Sequence, residues 1–284
     1  MFKYLIITTT LILLSPLAIG EKLAFINSSK SEFSHPHDLT LGVNKQYLFV
    51  ADMNHDLIKV LNPKSLKTVA SIGKEQLSSP HDVTFDNHGQ MLVADSGNDR
   101  IAIYSLNNLT GNLVAELNKN MLSPEGVSSD DNGNIYVANA GNNLIQKFQH
   151  GKLVKSTGGF GSTLGKFNRA HDLEYFQGKI YIGDPGNNRV QILNTSLIPR
   201  QSIQVPNKPF NEPKYLSIGN DGKLYVADQH NNSLRIFNSQ GDEIYQLSSA
   251  NGEAFDRIEG VEVDDDYVWI SDTYNDRVVL FQWQ

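Results

Sequence analysis

Residues 91–104 read MLVADSGNDRIAIY, and this stretch decides the fold. An apolar run ends at Asp95, a turn of Gly and Asn follows, and a second apolar run begins after Arg100. Apolar runs on both sides of such a turn predict a β-hairpin, because Gly and Asn accept the positive φ that tight turns require. We also expect the Asp that opens the turn to accept backbone N–H groups across it.

The same pattern recurs six times along the chain. The residues that end the first run are separated by 43, 44, 45, 44 and 44 positions. A regular period of this length is the signature of a repeat architecture. The six residues are Asp52, Asp95, Asn139, Asp184, Asp228 and Asp272.

Each repeat contains two further predicted strands. In the second repeat, one begins near residues 79–82 and precedes the hairpin, and the other follows it at 112–116. Four consecutive strands predict an antiparallel meander, and one such sheet cannot bury both of its faces alone. The sequence therefore predicts an all-β, six-bladed β-propeller with four-stranded antiparallel blades, formed as a single domain by residues 21–284.

The two ends of the chain complement each other. The sixth repeat stops at Gln284, directly after its third strand, and residues 22–26 form a spare strand. We predict that this N-terminal strand pairs with the last blade and closes the ring, because the blade would otherwise present a long unpaired edge. The alternative is an ordered arm that lies elsewhere.

Residues 1–20 have the features of an export signal. Lys3 is followed by an apolar run over residues 4–14, a Ser-Pro break, and small residues before a predicted cleavage after Gly20. The alternative is a retained anchor, although the run is short for a membrane span. We therefore expect a periplasmic or secreted protein with no membrane span after cleavage.

Composition limits the partners. The chain has no Cys, so export brings it no disulfides and its stability must come from packing and sheet closure. Residues 21–284 contain 23 basic and 31 acidic residues, which gives a net charge of −8. This charge argues against nucleic acid and anionic membranes as general partners.

One position in each repeat is predicted to line the central channel. It lies at the start of the innermost strand, where side chains from all six blades converge at one mouth. The six residues are His37, His81, Glu125, His171, Lys214 and Glu259. A hydrated polar channel is the simplest interpretation of this ring.

The ring is also a candidate metal site. Neutral imidazoles suit Zn²⁺ and other divalent transition metals, and carboxylates complete such sites. The predicted metal ligands are His37, His81, His171, Glu125 and Glu259.

Neighbouring side chains extend this hypothesis. Asp38, Asp82 and Asp172 directly follow the three His residues, and each could orient an imidazole, bind Ca²⁺ or simply cap a turn. Arg169 and Lys214 are candidates to bind an anionic group of a substrate at the mouth. Equally, they could pair with the ring carboxylates.

The repeat resembles the NHL repeat family. Its best copy, residues 79–104, has the pattern Pro-x-Asp-Val, then Gly89, then Val-Ala-Asp, then Asn98 and Arg100. Repeats four and six keep the Asp, Asn and Arg positions, whereas repeats one, three and five depart at the Arg. The resemblance covers about residues 35–284 and implies a six-bladed propeller, a fold that hosts enzymes and binding proteins alike.

A narrower resemblance concerns function. The Pro-His-Asp motifs at His37 and His81 resemble those of peptidyl-α-hydroxyglycine amidating lyases. The resemblance implies a His-bound Zn²⁺ in the channel and a catalytic role for Tyr274. It offers no clear match for the family's catalytic Arg residues, so Arg169, like Lys214, is a candidate anion clamp only from its place at the mouth. The chain departs from that family because its His residues fall in blades one, two and four, and blade six has Glu259.

We interpret the chain as a binding or scaffold module that uses the channel mouth and the face loops. Its ligand would be a peptide, a glycan or a protein. The alternative is a metal-dependent lyase or hydrolase. RNA binding is the poorest hypothesis, because the net charge is negative.

Overall fold

Residues 22–30 and 32–284 are described by the computed structural model, and they form six four-stranded sheets arranged as blades around one channel. The predicted six-bladed β-propeller is confirmed. The predicted export segment, residues 1–20, lies outside the described residues. Helices within the described ranges are single 3₁₀ turns, and none is long and apolar enough to cross a membrane.

The blades follow one another in chain order, and neighbouring strands within each blade are antiparallel. Blades 1 and 2 contain β2 (Pro36–Leu41), β3 (Leu48–Asp52), β4 (Leu57–Leu61), β5 (Thr68–Ile72), β6 (Pro80–Phe85), β7 (Met91–Asp95), β8 (Arg100–Asn107) and β9 (Thr110–Leu117). Blades 3 and 4 contain β10 (Pro124–Ser129), β11 (Ile135–Asn139), β12 (Leu144–Gln149), β13 (Lys152–Gly158), β14 (Leu173–Phe176), β15 (Lys179–Asp184), β16 (Arg189–Asn194) and β17 (Pro199–Ile203).

Blades 5 and 6 complete the ring. They contain β18 (Pro213–Ile218), β19 (Leu224–Asp228), β20 (Ser233–Phe237), β21 (Glu243–Leu247), β24 (Val261–Asp264), β25 (Tyr267–Asp272), β26 (Arg277–Trp283) and the N-terminal β1 (Leu23–Ser28). A small ribbon of β22 (Ser249–Ala250) and β23 (Glu253–Ala254) lies in the connection between them. Six apolar clusters fill the spaces between adjacent blades, so the core is a ring of blade junctions.

A single 3₁₀ turn joins the second and third strands of every blade. The residue after each turn is left-handed, with φ between 48° and 56°. Only Asn or Asp occupies this position, and both tolerate that conformation. The turns are Met53–His55, Ser96–Asn98, Ala140–Asn142, Pro185–Asn187, Gln229–Asn231 and Thr273–Asn275.

The Asp that ends each second strand has a different role from the one we expected. It makes no side-chain cap of the following turn, so that expectation was wrong. Asp95 Oδ1 instead accepts the backbone N–H of Ser78, at 2.7 Å, from the loop that leads into its own blade. Asn98 Nδ2 and Arg100 Nε donate to its second oxygen at 2.9 and 2.8 Å. The same backbone contact is made by Asp52, Asn139, Asp184, Asp228 and Asp272.

A second set of Asp and Asn side chains links each blade to the next. These are the left-handed residues after the 3₁₀ turns. Asp56 in blade 1 accepts the backbone N–H of Ser79 in blade 2 at 2.7 Å, and Asp276 in blade 6 accepts that of His35 in blade 1 at 2.9 Å. Asp99, Asn143, Asn188 and Asn232 make the other four contacts.

The N-terminal strand closes the ring, as predicted. β1 pairs antiparallel with β26 from Leu23 opposite Trp283 to Ser28 opposite Val279. Leu23 is only 6% exposed and belongs to the apolar cluster between blades 5 and 6. The first and last strands of the chain therefore share one sheet.

Every outermost strand contains a register irregularity where it pairs with the third strand of its blade. A β-bulge bends the strand and interrupts its ladder, which protects an edge against pairing with another sheet. The exposed apolar residues at these positions include Ile26, Val69, Val114 and Val154.

Because β1 closes the ring, substitutions in β1 should lower the stability of the protein more when the replaced side chain is buried. Leu23→Ala should lower the free energy of unfolding by about 2–4 kcal/mol, because it leaves a cavity in a buried cluster. Ile26→Ala, at a residue of the same strand that is 43% exposed, is the matched control and should cost less than about 1 kcal/mol. Urea unfolding measures both, and equal small losses would contradict the packing of β1 in the core.

Candidate functional site

The six predicted channel residues meet at one end of the central channel. The ring centroids of His37 and His81 are 4.6 Å apart, and those of His81 and His171 are 6.1 Å apart. His171 Nε2 lies 3.3 Å from Glu125 Oε2. Side chains that are far apart in the sequence thus form one polar ring, as the repeat predicts.

Charged groups on the other side of the ring neutralise one another. Lys214 Nζ donates to Glu259 Oε1 at 3.1 Å, and Gln229 Nε2 donates to the same oxygen. His37 Nδ1 lies 3.0 Å from Glu259 Oε2. The sequence left open whether Lys214 binds an anionic substrate group or pairs with a ring carboxylate. In the structure it pairs with Glu259.

Three buried atoms of the ring have no hydrogen-bond partner within the described residues. They are Glu125 Oε2, His171 Nδ1 and Glu259 Oε2. The two carboxylate oxygens lie near imidazole nitrogens, yet neither contact has hydrogen-bond geometry. Buried polar atoms are normally paired, so this ring retains capacity to bind a ligand or water.

Tyr215 crosses the channel beneath the ring, and the sequence analysis missed it. Its hydroxyl donates to the carbonyl oxygen of His81 at 2.9 Å, which joins blade 5 to blade 2 on the opposite side of the channel. The side chain is fully buried and packs against His171, with ring centroids 4.9 Å apart. A signal was present, because the residue after the ring position is Asp or Gly in the other five blades.

Two of those glycines are required by the approach of the neighbouring blade. A Cβ at Gly126 would lie 2.7 Å from the carbonyl oxygen of His171, and a Cβ at Gly260 would lie 2.4 Å from that of His37. The inner strands therefore nearly touch at these junctions. Because the backbones approach so closely, the ring residues of adjacent blades stay in contact.

The three imidazoles are neutral at physiological pH. Burial lowers the pKa of His81 to about 3, with a further contribution from His37. Burial and the charge of Lys214 hold the pKa values of His37 and His171 well below the ordinary value. Burial also raises the pKa of Glu125 to about 7. The ring thus offers uncharged nitrogen atoms rather than imidazolium groups.

A second layer of carboxyl groups lies deeper in the channel. Asp82 accepts the backbone N–H of Val127, and Asp172 Oδ2 accepts that of Leu216 at 2.7 Å. Each contact joins one inner strand to that of the next blade. The three Asp residues that we predicted as binding groups, which are Asp38, Asp82 and Asp172, all line a chamber of about 130 Å³.

Glu174 and Glu262 also contribute to this chamber, and the sequence analysis missed both. Glu262 Oε1 accepts the backbone N–H of Leu41 at 3.0 Å, which joins blade 6 to blade 1. Both lie three residues after a ring position, where every blade has a polar residue. That regularity was a readable signal, and the other four residues are Thr40, Thr84, Ser128 and Ser217.

Burial shifts the pKa values of all five carboxyl groups upward. It raises the pKa of Asp82 to about 6 and that of Glu262 to about 7. Burial, with repulsion from neighbouring carboxylates, holds the pKa values of Asp38, Asp172 and Glu174 well above the ordinary range. Protonated carboxyl groups are therefore a stable part of this chamber near neutral pH.

The metal-site hypothesis has partial geometric support. His81 Nδ1 lies 2.9 Å from the carbonyl oxygen of Ser79, which can only accept, so this nitrogen carries the proton and Nε2 keeps its lone pair. However, across residues 22–30 and 32–284, no three His, Asp or Glu side chains are arranged to hold a metal ion. The predicted ligands are neighbours but do not converge on one point, and the metal site stays a prediction.

The two predicted catalytic residues lie on the rim of the mouth. Arg169 is exposed, and Asn143 Oδ1 accepts its backbone N–H at 2.6 Å. The Tyr274 ring is 4.6 Å from the guanidinium of Arg257 and 4.7 Å from the His35 ring. Tyr274 is 42% exposed, so it is part of an accessible surface beside the ring.

The chamber predicts a pH-dependent effect of Glu262→Gln. The pKa of Glu262 is about 7 in the folded protein against an ordinary 4.5, so its carboxyl destabilises the fold progressively as pH rises through this interval. Glutamine keeps the acceptor for Leu41 without the charge. Relative to wild type, the variant should therefore gain about 2.5 kcal/mol of unfolding free energy between pH 5 and pH 8.

Urea unfolding at the two pH values measures this gain. Glu75→Gln, at an exposed carboxylate in the loop between blades 1 and 2, is the matched control, because it removes the same charge outside the chamber and should not reproduce this gain. A Glu262→Gln effect of the same size at both pH values would contradict the buried, protonated carboxyl.

Two comparisons concern the sequence. The NHL repeat family model matches residues 77–104 and 121–148, which contain the hairpins of blades 2 and 3. No curated protein matches the chain significantly. Two repeats are thus recognisable by sequence.

Solved structures share the architecture at low identity. The virginiamycin B lyase of Staphylococcus aureus is 13% identical with a TM-score of 0.64, and the match covers 93% of this chain and 99% of that one. A gluconolactonase of Xanthomonas campestris is 10% identical with a TM-score of 0.70, covering 93% and 90%. An auxiliary nutrient binding protein of Bacteroides thetaiotaomicron is 12% identical with a TM-score of 0.69, covering 88% and 69%. Such identities speak for the fold alone, and the chain is a six-bladed β-propeller in which two of the repeats match the NHL repeat.

Proposed function

We propose that the chain is an exported binding module whose ligand, a peptide, glycan or protein, docks over the channel mouth. The N-terminal 20 residues support export. The propeller supports docking because it places loops from all six blades around one ring of polar side chains. One observation carries the proposal: the ring holds buried polar atoms without partners directly beneath an exposed rim.

The rim can contribute direct contacts. It consists of the residues that lead into the inner strands, and two of them, Arg169 and Arg257, are exposed cations. The Arg257 guanidinium rests on the Tyr274 ring, which reduces the conformational entropy that it would lose on binding. Aromatic and Arg side chains of this kind are enriched at the centres of binding interfaces.

The contacts that the ring and rim side chains already make support binding better than catalysis. Lys214 is already paired with Glu259 Oε1, so this ring cation is not free to bind an anionic substrate group. Tyr274, the candidate catalytic base, has its ring contacts with two rim residues. These contacts favour recognition at the rim above the ring.

The proposal predicts that rim cations determine ligand affinity. Peptide and glycan arrays probed with residues 21–284 should retain ligands whose affinity falls more than tenfold in the Arg169→Ala/Arg257→Ala double variant. The reason is the loss of two exposed guanidinium groups beside the ring. Biolayer interferometry on the retained ligands measures the change.

A matched control removes the same charge from other turns. Lys152→Ala/Lys179→Ala replaces two exposed cations at the strand ends remote from the mouth, and it should leave affinity unchanged. Equal affinity of wild type and the rim variant for every retained ligand would sink the proposal, as would the failure of both arrays to yield any ligand.

A metal-dependent lyase or hydrolase is the second candidate. It is favoured by three neutral imidazoles in one ring and by Glu125, whose pKa of about 7 suits a general base. The metal would be Zn²⁺ or another divalent transition metal, with Ca²⁺ as the choice for the deeper Asp residues. The positions of the ring side chains do not favour it, because three ligands do not converge.

The second candidate makes a prediction of its own. If the ring binds Zn²⁺, a free concentration of 100 times the Kd should raise the free energy of unfolding by about 2.7 kcal/mol. The His81→Ala/His171→Ala variant should lose this rise. Thermal unfolding with and without Zn²⁺, together with elemental analysis of the purified chain, tests it, and an unchanged wild-type Tm at every Zn²⁺ concentration rejects the metal site.

A further inference from the structure

An open groove lies between blades 1 and 2, at the ends of the strands remote from the channel mouth. Its volume is about 450 Å³, which is within the range of small-molecule sites. Phe49 and Phe85, with ring centroids 4.9 Å apart, form its apolar floor. Leu106 and Leu109 from the β8–β9 hairpin form one wall, and Val43 forms part of the other.

At two other blade junctions, a leucine from the turn before the outermost strand fills the corresponding space. Leu66 is 3% exposed and packs in one cluster with Trp269, whose Nε1 donates to the carbonyl oxygen of Pro63 at 2.7 Å. Leu197 is 1% exposed and packs in one cluster with Tyr136. Each leucine thus covers an aromatic side chain of the preceding blade.

The junction of blades 1 and 2 is built differently, because no fully buried leucine from the turn lies over it. Phe49 occupies the strand position of Trp269 and Tyr136 but has no polar atom to bind the neighbouring turn. That turn has only two residues between β8 and β9, and Leu109 there is only partly buried. Leu109 therefore does not cap the groove, and although Phe49 itself is only 3% exposed, the half-buried Phe85 beside it borders the open space.

The groove is lined without a charged side chain. Its polar lining consists of the carboxamides of Asn44, Gln46 and Asn108 and the phenol of Tyr47, all of which can donate and accept hydrogen bonds. Lys45, in the same turn as Asn44, is directed to an ion pair with Asp264. An ionised ligand would lose its hydration here without gaining a counter-charge, whereas neutral polar groups can be satisfied.

We propose that this groove binds a small, uncharged organic molecule with an aromatic or aliphatic body and amide or hydroxyl groups. The body packs on Phe85 and Leu106, and the polar groups bond to the carboxamides at the rim. The site is separate from the channel mouth, so the inference stands independently of the proposed function.

Three probes of matched size test the charge selectivity, namely benzamide, benzoate and benzylammonium. In a ¹H–¹⁵N NMR titration of residues 21–284, benzamide should bind with a Kd on the order of 1 mM. The largest shifts should fall on groove amides, including Gly42, Gly89 and Asn108. The two charged probes should bind at least tenfold more weakly, since the lining offers them no partner.

Val43→Asp tests the location. Val43 is 68% exposed, so the substitution should leave Tm unchanged while it places a charge in the lining and weakens benzamide binding at least tenfold. Val69→Asp, at a valine that is 49% exposed on β5 and outside the groove, is the matched control and should bind benzamide as wild type does.

Several outcomes would overturn the proposal. They are the absence of benzamide shifts, shifts centred on the channel mouth, equal binding of all three probes, and unchanged binding by Val43→Asp. Sedimentation of the wild type as a dimer that Val43→Asp dissociates would also overturn it, because a second copy of the chain would then occupy the groove.

Discussion

Two side-chain oxygens hold each loop that leads into an inner strand, and the rest of the structure depends on this pair of contacts. In blade 2, Asp95 accepts the N–H of Ser78 and Asp56 of the preceding blade accepts that of Ser79. One contact is within the blade and the other crosses the junction, so each blade is positioned by its own hairpin and by its neighbour's. The ring residue His81 follows two positions after Ser79, so these two hydrogen bonds also position the side chains at the channel mouth.

These side-chain hydrogen bonds explain which features of the fold and of the ring could be predicted from the sequence and which could not. The spacing of Asp52, Asp95 and their equivalents is a property of each repeat, and the hairpins, the blade number and the closure by β1 follow from it. The convergence of His37, His81 and His171 follows from the same period. The target of the Asp was mispredicted, because its partner lies 17 residues earlier in a loop whose path depends on the neighbouring blade.

Features that occur in only one blade could not be predicted from the repeat pattern. Tyr215 replaces Asp or Gly in a single blade, and its effect depends on the width of the channel at that level. The ring side chains could be predicted as a set, but which of them pair, as Lys214 does with Glu259, depends on rotamers and on distances between blades. The groove beside Phe85 likewise depends on the length of one turn.

Tyr215 has a consequence for the molecule as a whole. A propeller is often pictured as a disc with a hole, through which a solute on one side could reach the other. Here a fully buried phenol spans that hole from one blade to its opposite and is bonded to the backbone at its far end. Two blades that share no junction are therefore held together directly, so the ring is braced across its diameter as well as around its circumference.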